Sequence, residues 1–416
     1  MIAPSVWPDL EVVRAMDATD PLRACRARFQ LPPGLIYLDG NSLGALPRGT
    51  TERVARTVER QWGTDLIASW NKHQWIDAPA RIGARIAPII GAGADEVIVA
   101  DSTSVNLFKL ITAACNARPS RSTILTEPGN FPTDLYVAQG IAAMLPGRQV
   151  KTTPAEAIAA AIDADTAVVV LTHVHYKTGA MLDMAAITAA AHAAGALILW
   201  DLSHSAGAVE LNLAGCDVDL AVGCGYKYLN GGPGAPAFLF VARRLQEVMR
   251  SPLSGWMGHA APFDFVDDYS PADGMARFLC GTPPILGIAA LEEGLDCFAG
   301  VSMRDVAEKS RTLSNLLIGG LEMRCADQGF TLVTPRDAAA RGSHVSVAHD
   351  HAWEICQALI GRGVVGDFRA PEVLRLGLAP LYTSFEDVWQ AVETLAAIMA
   401  DGAWRDPAFA TRAAVT

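Results

Sequence analysis

Residues 196–234 read ALILWDLSHSAGAVELNLAGCDVDLAVGCGYKYLNGGPG and contain two short apolar runs, each followed by polar residues. The first run, ALILW, leads directly into Asp201, and the second, LAVGC, leads to Lys227 and a glycine-rich turn. Such runs predict buried strands of a parallel sheet, and open α/β sheets bind their ligands at the carboxyl ends of the strands. The stretch therefore predicts that Asp201 and Lys227 meet at one edge of a sheet.

A carboxylate and an amine at that edge fit one type of cofactor. A buried carboxylate such as Asp201 is costly unless a cationic group pairs with it, and a protonated pyridine nitrogen is such a group. The retained positive charge makes a pyridine ring an electron sink, and the amine of Lys227 can close on an aldehyde carbon. The pair predicts an enzyme that uses pyridoxal 5′-phosphate on a fold of the aspartate-aminotransferase type.

Each of these two residues also has an ordinary explanation. Asp201 can be read as a helix cap, and Lys227 as a surface lysine whose stem packs on apolar neighbours. Lys177 is a rival for the cofactor lysine, because a tyrosine precedes it as well. It comes before Asp201 and lies outside the glycine-rich turn, so we favour Lys227.

The rest of the chain predicts a large α/β domain and a smaller α+β domain. Runs rich in Val, Ile and Leu alternate with Ala-rich helical stretches, which is typical of a parallel sheet covered on both faces. The candidate strands of the large domain are 97–100, 123–126, 167–172, 196–200, 220–222 and 237–241. From about residue 310 the pattern changes to a helix, two strands at 331–333 and 344–347, a helix near 353–360 and a final helix after 383.

We therefore expect three parts. Residues 1–60 form an N-terminal segment that packs with the small domain or arches over the large one. Residues 61–305 form the large cofactor-binding domain with a mostly parallel seven-stranded sheet, and 306–416 form the small α+β domain.

Composition excludes several classes of protein. The 416 residues, 51% of them hydrophobic, can bury a large core, and the net charge of -11 without a basic run argues against nucleic-acid binding. The most apolar stretch, 185–200, is short of the ~20 residues of a membrane span, and the first residues lack the pattern of a secretion signal. The eight cysteines have no CxxC pair and no zinc-ligand spacing. We expect a cytoplasmic protein without metal, membrane or nucleic-acid partners.

A possible anion site follows the first candidate strand. Thr103 and Ser104 precede the helical run VNLFKLITAAC, and the free N–H groups at a helix N-terminus attract anions such as a phosphate. An ordinary helix cap is the simpler explanation of this segment taken alone.

Motifs along nearly the whole chain resemble one family. They are YLDGNSLG at Tyr37, NFPTDLY at Asn130, LTHVHYKTG at Leu171, WDLSHSAGA at Trp200, YKYLNGGPG at Tyr226, LSGWMGH at Leu253, CGTPPI at Cys280 and LRLGLAPLYTS at Leu374. Through them the chain resembles the kynureninases, which belong to the class V aminotransferase-like enzymes of fold type I. NFPTD and YKYLNGGPG together are the narrowest part of the resemblance.

The resemblance implies roles around the cofactor ring. Lys227 would form the Schiff base, Asp201 would pair with the pyridinium nitrogen, and Phe131 would stack on the ring. Three further side chains would lie beside the ring: Asp134, Thr172 and His204.

The resemblance also implies the phosphate ligands and a homodimer with shared active sites. Thr103, Ser104 and Tyr226 would hold the phosphate, which turns the helix N-terminus into a functional site. Trp256 and Thr282 of the partner subunit would reach the same phosphate. Some relatives have Asn at the position of Thr282.

The substrate residues follow from the same resemblance. Arg375 would bind the substrate α-carboxylate, because a guanidinium offers paired donors that lysine lacks. The other substrate candidates are Asn41, Ser42, His344 and Trp70, with Trp75 as an alternative to Trp70 in the wall of the aryl pocket.

The implied reaction is the hydrolytic cleavage of the Cβ–Cγ bond of L-kynurenine, or of its 3-hydroxy derivative, to an anthranilate and L-alanine. This reaction belongs to tryptophan catabolism and to routes of NAD biosynthesis. Lys227 would move the Cα proton, and Tyr226 is a candidate acid or base. A cysteine desulfurase or an aminotransferase of the same fold is the first alternative. A cofactor-binding sensor without turnover is the second.

Overall fold

In the computed structural model, which describes residues 7–412, the strands form three sheets, of seven, four and two strands. The strands are β1 (Ile36–Tyr37), β2 (Val97–Val99), β3 (Thr123–Thr126), β4 (Gln149–Thr152), β5 (Thr166–Thr172), β6 (Leu197–Asp201), β7 (Leu220–Gly223), β8 (Phe238–Val241), β9 (Thr331–Leu332), β10 (His344–Ala348), β11 (Val364–Val365), β12 (Asp367–Arg369) and β13 (Val373–Gly377). The α-helices are α1 (Leu10–Thr19), α2 (Thr50–Arg56), α3 (Ser69–Lys72), α4 (Ala78–Ile90), α5 (Thr103–Ala117), α6 (Pro132–Met144), α7 (Ile158–Ala161), α8 (Met184–Ala193), α9 (Arg243–Gln246), α10 (Ile285–Asp296), α11 (Met303–Arg324), α12 (Ala352–Gly361) and α13 (Phe385–Asp401).

The larger sheet has seven strands in the order β2-β8-β7-β6-β5-β3-β4. Neighbours from β4 to β7 run parallel, and β8 runs antiparallel to both β7 and β2. This confirms the predicted α/β fold with a mostly parallel seven-stranded sheet. The six predicted strands are all present, with ends that differ by one residue at most.

One strand of this sheet, β4, had no sequence signal of its own. It lies at the edge of the sheet, and its residues Gln149 to Thr152 are mostly exposed. An edge strand with polar side chains lacks the apolar run by which buried strands are recognised.

Alternate residues of the central strands pack into two cores on opposite faces of the sheet. On β5, Val169 and Leu171 join the core formed with α4 and α8, and Val168 and Val170 join the core formed with α5 and α6. A strand buried on both faces has no polar side, which explains the continuous apolar runs in the sequence.

The smaller sheet is antiparallel, in the order β12-β13-β10-β9, and packs with α11, α12 and α13 around a third core. The N-terminal segment contacts both parts of the chain. Helix α1 lies on α13 and β1 pairs with β11, whereas α2 lies on α10. The division at residues 60 and 305 remains a prediction.

Helix α13 begins at a well-capped N-terminus that also anchors α1. Ser384 and Asp387 form a capping box, and the carboxylate of Asp17 accepts hydrogen bonds from the backbone N–H groups of Phe385 and Glu386 at 2.8 and 2.9 Å. Asp17 thereby satisfies two donors that have no partner within the helix.

We expect Asp17→Ala to lower the free energy of unfolding by about 1–2 kcal/mol, the usual cost of losing such a cap. Urea unfolding followed by circular dichroism measures it. Glu11→Ala is the matched control, because Glu11 is an exposed acidic residue of the same helix. Equal stability of the two variants would contradict a capping role for Asp17.

Candidate active site

A cavity of about 460 Å³ opens where β5, β6 and β7 end. Thr172, the last residue of β5, lies beside Asp201, the last residue of β6, and Lys227 follows the end of β7 by four residues. Ten of the predicted residues line this cavity: Thr103, Ser104, Phe131, Asp134, Thr172, Asp201, His204, Tyr226, Lys227 and Thr282. The parallel strands thus bring together residues that are far apart in the sequence.

The amine of Lys227 lies among aromatic side chains. Its Nζ is 2.9 Å from Nε2 of His204, 5.7 Å from the ring centre of Phe131 and 6.0 Å from that of Tyr226. Burial, and then the positive charge of Lys227, lower the pKa of His204 far below its usual value. His204 is therefore neutral and accepts a hydrogen bond from the lysine.

Two buried carboxyl groups lie at the floor of the cavity with different surroundings. Oδ1 of Asp201 accepts a hydrogen bond from the Ser203 backbone N–H at 2.7 Å. Burial raises the pKa of Asp201, while Ser203 and the positive charge of Lys227 oppose the rise. Asp201 therefore has partners that favour its ionised form.

Asp134 has fewer such partners. Its Oδ2 accepts a 3.1 Å hydrogen bond from the Thr172 hydroxyl, and its Oδ1 has no hydrogen-bond partner among the described residues. Burial and the neighbouring charge of Asp201 raise the pKa of Asp134 well above its usual value. Asp134 thus holds a proton more firmly than Asp201 does. The Thr172 hydroxyl also lies 2.6 Å from Oδ1 of Asn130, a residue that we did not single out from the sequence.

The opposite end of the cavity is the N-terminus of α5. The helix cap is Ser102, whose Oγ accepts a 3.4 Å hydrogen bond from the Val105 N–H. Thr103 and Ser104 therefore occupy the first helical turn, where backbone donors are free, and both line the cavity. The buried amine of Lys109 supports this turn, because it bonds the Asp101 carboxylate and the Phe278 carbonyl.

Trp256 and Thr282 occupy different places. Thr282 lines the cavity of its own chain, whereas Trp256 is 40% exposed and packs edge to face on Phe263, with ring centres 5.7 Å apart. A contribution of either residue across a dimer remains a prediction.

The predicted substrate residues lie outside the cavity lining. Arg375 and Asn41, which are buried, and Ser42, which is half-buried, form a polar cluster that Tyr176 connects to the cavity. The Tyr176 carbonyl accepts a hydrogen bond from Arg375, and its ring packs edge to face on Phe131 with centres 5.2 Å apart.

His344 and Trp70 differ in their distance from the site. His344 is fully buried, its ring centre is 5.4 Å from that of His204, and neither of its ring nitrogens has a hydrogen-bond partner in the described part of the chain. Trp70 packs edge to face on Trp75, with centres 5.9 Å apart, and neither tryptophan lines the cavity. A single chain thus does not bring Trp70 or Trp75 to the predicted site.

Solved structures with this architecture include a cysteine desulfurase from Thermococcus onnurineus NA1, with a TM-score of 0.76 and 19% identity over 91% of this chain and 98% of that chain. A cysteine desulfurase from Escherichia coli has a TM-score of 0.74 and 20% identity over 90% and 97% of the two chains. At these identities the likeness shows the fold alone. The fold, with a lysine and a carboxylate at the strand ends, defines the class of fold type I enzymes that use pyridoxal 5′-phosphate.

Sequence relatives narrow the class to one family. A kynureninase from Burkholderia mallei (strain SAVP1) is 51% identical over 413 residues, which are 98% of this chain and 99% of the relative. A kynureninase from Pseudomonas fluorescens is 49% identical over 97% of this chain and 98% of the relative. The profile of the kynureninase C-terminal domain matches residues 306–395. The chain belongs to the kynureninase family, which confirms the resemblance found in its motifs.

The described residues contain neither a membrane-spanning helix nor a cluster of metal ligands. No helix within residues 7–412 is long and apolar enough to cross a membrane. Across the same residues, no group of His, Cys, Asp and Glu side chains is arranged to hold a metal ion.

Proposed function

We propose that this protein cleaves L-kynurenine or its 3-hydroxy derivative to an anthranilate and L-alanine by hydrolysis, with pyridoxal 5′-phosphate held by Lys227. The observation that carries the proposal is the meeting of Lys227 and Asp201 at the strand ends of a chain that matches kynureninases over almost its full length. The cavity suits this cofactor, because the ring of Phe131, the carboxyl group of Asp201 and the N-terminus of α5 line it together with Lys227.

Each lining residue would bind one part of the cofactor. Asp201 would pair with the pyridine nitrogen and Phe131 would stack on the ring, while Asp134, Thr172 and His204 would lie beside it; all five line the cavity. Thr103 and Ser104 at the N-terminus of α5, together with Tyr226, would hold the phosphate. When bound, the cofactor supplies an electron sink for charge that develops at the substrate carbons.

The residues around Lys227 would then move protons. The Lys227 amine removes the proton from the substrate Cα, and the neutral His204 beside it accepts a hydrogen bond and keeps the amine oriented. Burial raises the pKa of the Tyr226 phenol, so this group acts as a proton donor, for example to the side-chain ketone as water adds. One water molecule is consumed when the Cβ–Cγ bond breaks. Its hydroxyl group becomes part of the anthranilate carboxyl group, and a proton is added to the alanine carbon.

The substrate would extend from the cofactor towards the small domain. Arg375, with Asn41 and Ser42, would bind the α-carboxylate, and His344 lies beside His204. Trp70 would wall the aryl pocket only in a dimer with shared active sites, in which Trp256 and Thr282 also approach the partner's phosphate. We further propose that the enzyme works in the cytoplasm, in tryptophan catabolism or NAD biosynthesis, without nucleic-acid or membrane partners.

The cysteines argue against the desulfurase alternative. A desulfurase needs an accessible cysteine nucleophile at the cofactor, and none of the eight cysteines, all of them in the described range, lines the cavity. Cys224 is close in sequence to Lys227, but it is buried, and burial raises the pKa of its thiol.

We expect the purified protein, loaded with pyridoxal 5′-phosphate, to convert L-kynurenine to fluorescent anthranilate and an equal amount of L-alanine. The same assay with 3-hydroxykynurenine shows which substrate is preferred, and L-cysteine tests for desulfurase activity. Cofactor binding without cleavage of either kynurenine would overturn the proposed function and leave the aminotransferase and sensor alternatives.

A further inference from the structure

The guanidinium proposed to bind the substrate carboxylate is already paired with an acid of its own chain. Nε of Arg375 lies 2.8 Å from Oδ1 of Asp367, and Nη2 of Arg375 bonds the other oxygen. A second guanidinium, that of Arg369, lies 2.7 Å from Oδ2 of Asp367. The Ser42 hydroxyl donates to the same oxygen at 2.7 Å and accepts from Arg375 at 2.9 Å. Two arginines thus share one carboxylate.

A second carboxyl group, that of Asp39, lies against this cluster. Asp39 follows β1 and forms a bridge with Gly377 at the end of β13. Its Oδ1 is buried and has no hydrogen-bond partner among the described residues, although its carboxyl group interacts with Ser42 and Asp367. A buried carboxyl oxygen that receives no hydrogen bond favours the protonated form of its group. Asp367 is held ionised by its two arginines, so the proton belongs on Asp39.

The surroundings support this assignment. Burial first, and then the negative charge of Asp367, raise the pKa of Asp39 to about 7, against the opposing effects of Ser42 and Arg375. The other titratable groups that interact with Asp39 are Tyr37, Tyr228, Tyr382 and Cys356. Burial raises the pKa of all four, so none of them is charged at neutral pH. Burial also lowers the pKa of His344 and of His204, which interact with Arg375, so both imidazoles are neutral. Near neutral pH the charge of the cluster therefore changes with the proton on Asp39.

We propose that Asp39 is a positioning residue that controls substrate binding through its proton: the two-arginine cluster receives the substrate α-carboxylate only while Asp39 is protonated. With a proton on Asp39, two guanidinium charges face one carboxylate and an incoming anion is attracted. When Asp39 is ionised, two carboxylates neutralise the two guanidinium groups and the attraction is lost. Above neutral pH, binding must therefore take up one proton from solvent at the Asp39 carboxylate, and no other bond changes.

This inference rests on the proposed function, and Asp39→Asn tests it. The amide has the shape of a protonated carboxyl group and cannot ionise. For the wild-type enzyme we expect the KM for L-kynurenine to rise above about pH 7, by up to about tenfold per pH unit, while kcat keeps its own profile. In Asp39→Asn this rise should disappear.

Glu127→Gln is the matched control. Glu127 is also buried, its Oε1 has no partner in the described chain, and burial followed by the charge of Glu156 raises its pKa to about 7 as well. Within the described chain, the hydrogen bonds and ion pairs of Arg375 and Arg369 involve Asp367, Ser42, Tyr176 and Phe368, and not Glu127. The KM of Glu127→Gln should therefore rise with pH as in the wild-type enzyme.

A second measurement does not depend on turnover. Titration calorimetry of the holoenzyme with L-alanine, which has the same α-carboxylate, is run at pH 8 in two buffers of different ionisation enthalpy. We expect the wild-type enzyme to take up close to one proton more than Asp39→Asn does. If Asp39→Asn does not fold, the wild-type enzyme is measured alone at several pH values. A proton uptake that decreases from pH 8 towards pH 6 supports the same conclusion.

The outcomes separate the two proposals. Absence of kynurenine cleavage by the wild-type enzyme at every pH removes the proposed function. Cleavage with the same KM profile in wild-type and Asp39→Asn enzymes, or wild-type proton uptake that does not change between pH 6 and pH 8, overturns the role of Asp39.

Discussion

Lys227→Ala is expected to lower kcat for L-kynurenine by at least about 10⁴-fold, the upper range for losing a positioned proton-transfer group, because the same amine also binds the cofactor. The variant should lack the visible absorption band of lysine-bound pyridoxal 5′-phosphate. Stopped assays of anthranilate fluorescence and an absorption spectrum of the reconstituted protein measure the two effects.

Lys177→Ala is the control for this experiment. Lys177 was the rival lysine in the sequence, and its Nζ donates a 2.8 Å hydrogen bond to the Ala370 carbonyl instead of facing the cavity. Its removal should leave the absorption band unchanged. A normal band in Lys227→Ala together with a lost band in Lys177→Ala would show that the cofactor lysine had been assigned wrongly.

Asp201→Asn is expected to lower kcat by about 10²–10³-fold, the usual loss for one preorganised electrostatic group. The amide preserves the shape and the 2.7 Å contact with the Ser203 N–H, but it carries no negative charge to keep the pyridine nitrogen protonated. Steady-state kinetics give kcat, and the absorbance of cofactor released by denaturation shows whether it is still bound.

Asp134→Asn provides the comparison, because the two aspartates lie in one buried site with different protonation. Burial and the charge of Asp201 raise the pKa of Asp134 and favour its protonated form, so an amide changes its charge less, and we expect a loss of less than about tenfold. Equal losses in the two variants would contradict the assignment of the ionised carboxylate to Asp201.

The large domain was predictable because its signals are local. Each central strand is buried on both faces and therefore reads as an apolar run, and parallel strands must present their carboxyl ends at one edge. Asp201 and Lys227 follow two such runs, so their proximity could be predicted from the sequence without any long-range contact. The exposed edge strand β4 was missed, because a strand with polar, solvent-facing residues has no such run.

The family motifs extended this prediction to residues without a local signal. Phe131, Asp134 and Thr172 each have an ordinary explanation on a helix or strand, and only the resemblance singled them out. The cavity brings all three to the neighbourhood of Lys227. The same resemblance named Trp70, which lies outside the cavity of a single chain, so its part in the site depends on the proposed dimer.

The sequence alone was sufficient for the sheet, for its ligand-binding edge and for the lysine and carboxylate located there, because strand burial and strand direction are encoded in short runs of neighbouring residues. The tertiary structure was needed for the protonation of those groups and for the acid cluster around Arg375. Asp39 and Asp367 are more than 300 residues apart in the chain, and although Asp39 lies in the YLDGNSLG motif, nothing in the sequence indicates that the two carboxyl groups interact. The two carboxyl groups interact because they are buried close to the same guanidinium groups. This arrangement forms only when the N-terminal segment packs against the small domain.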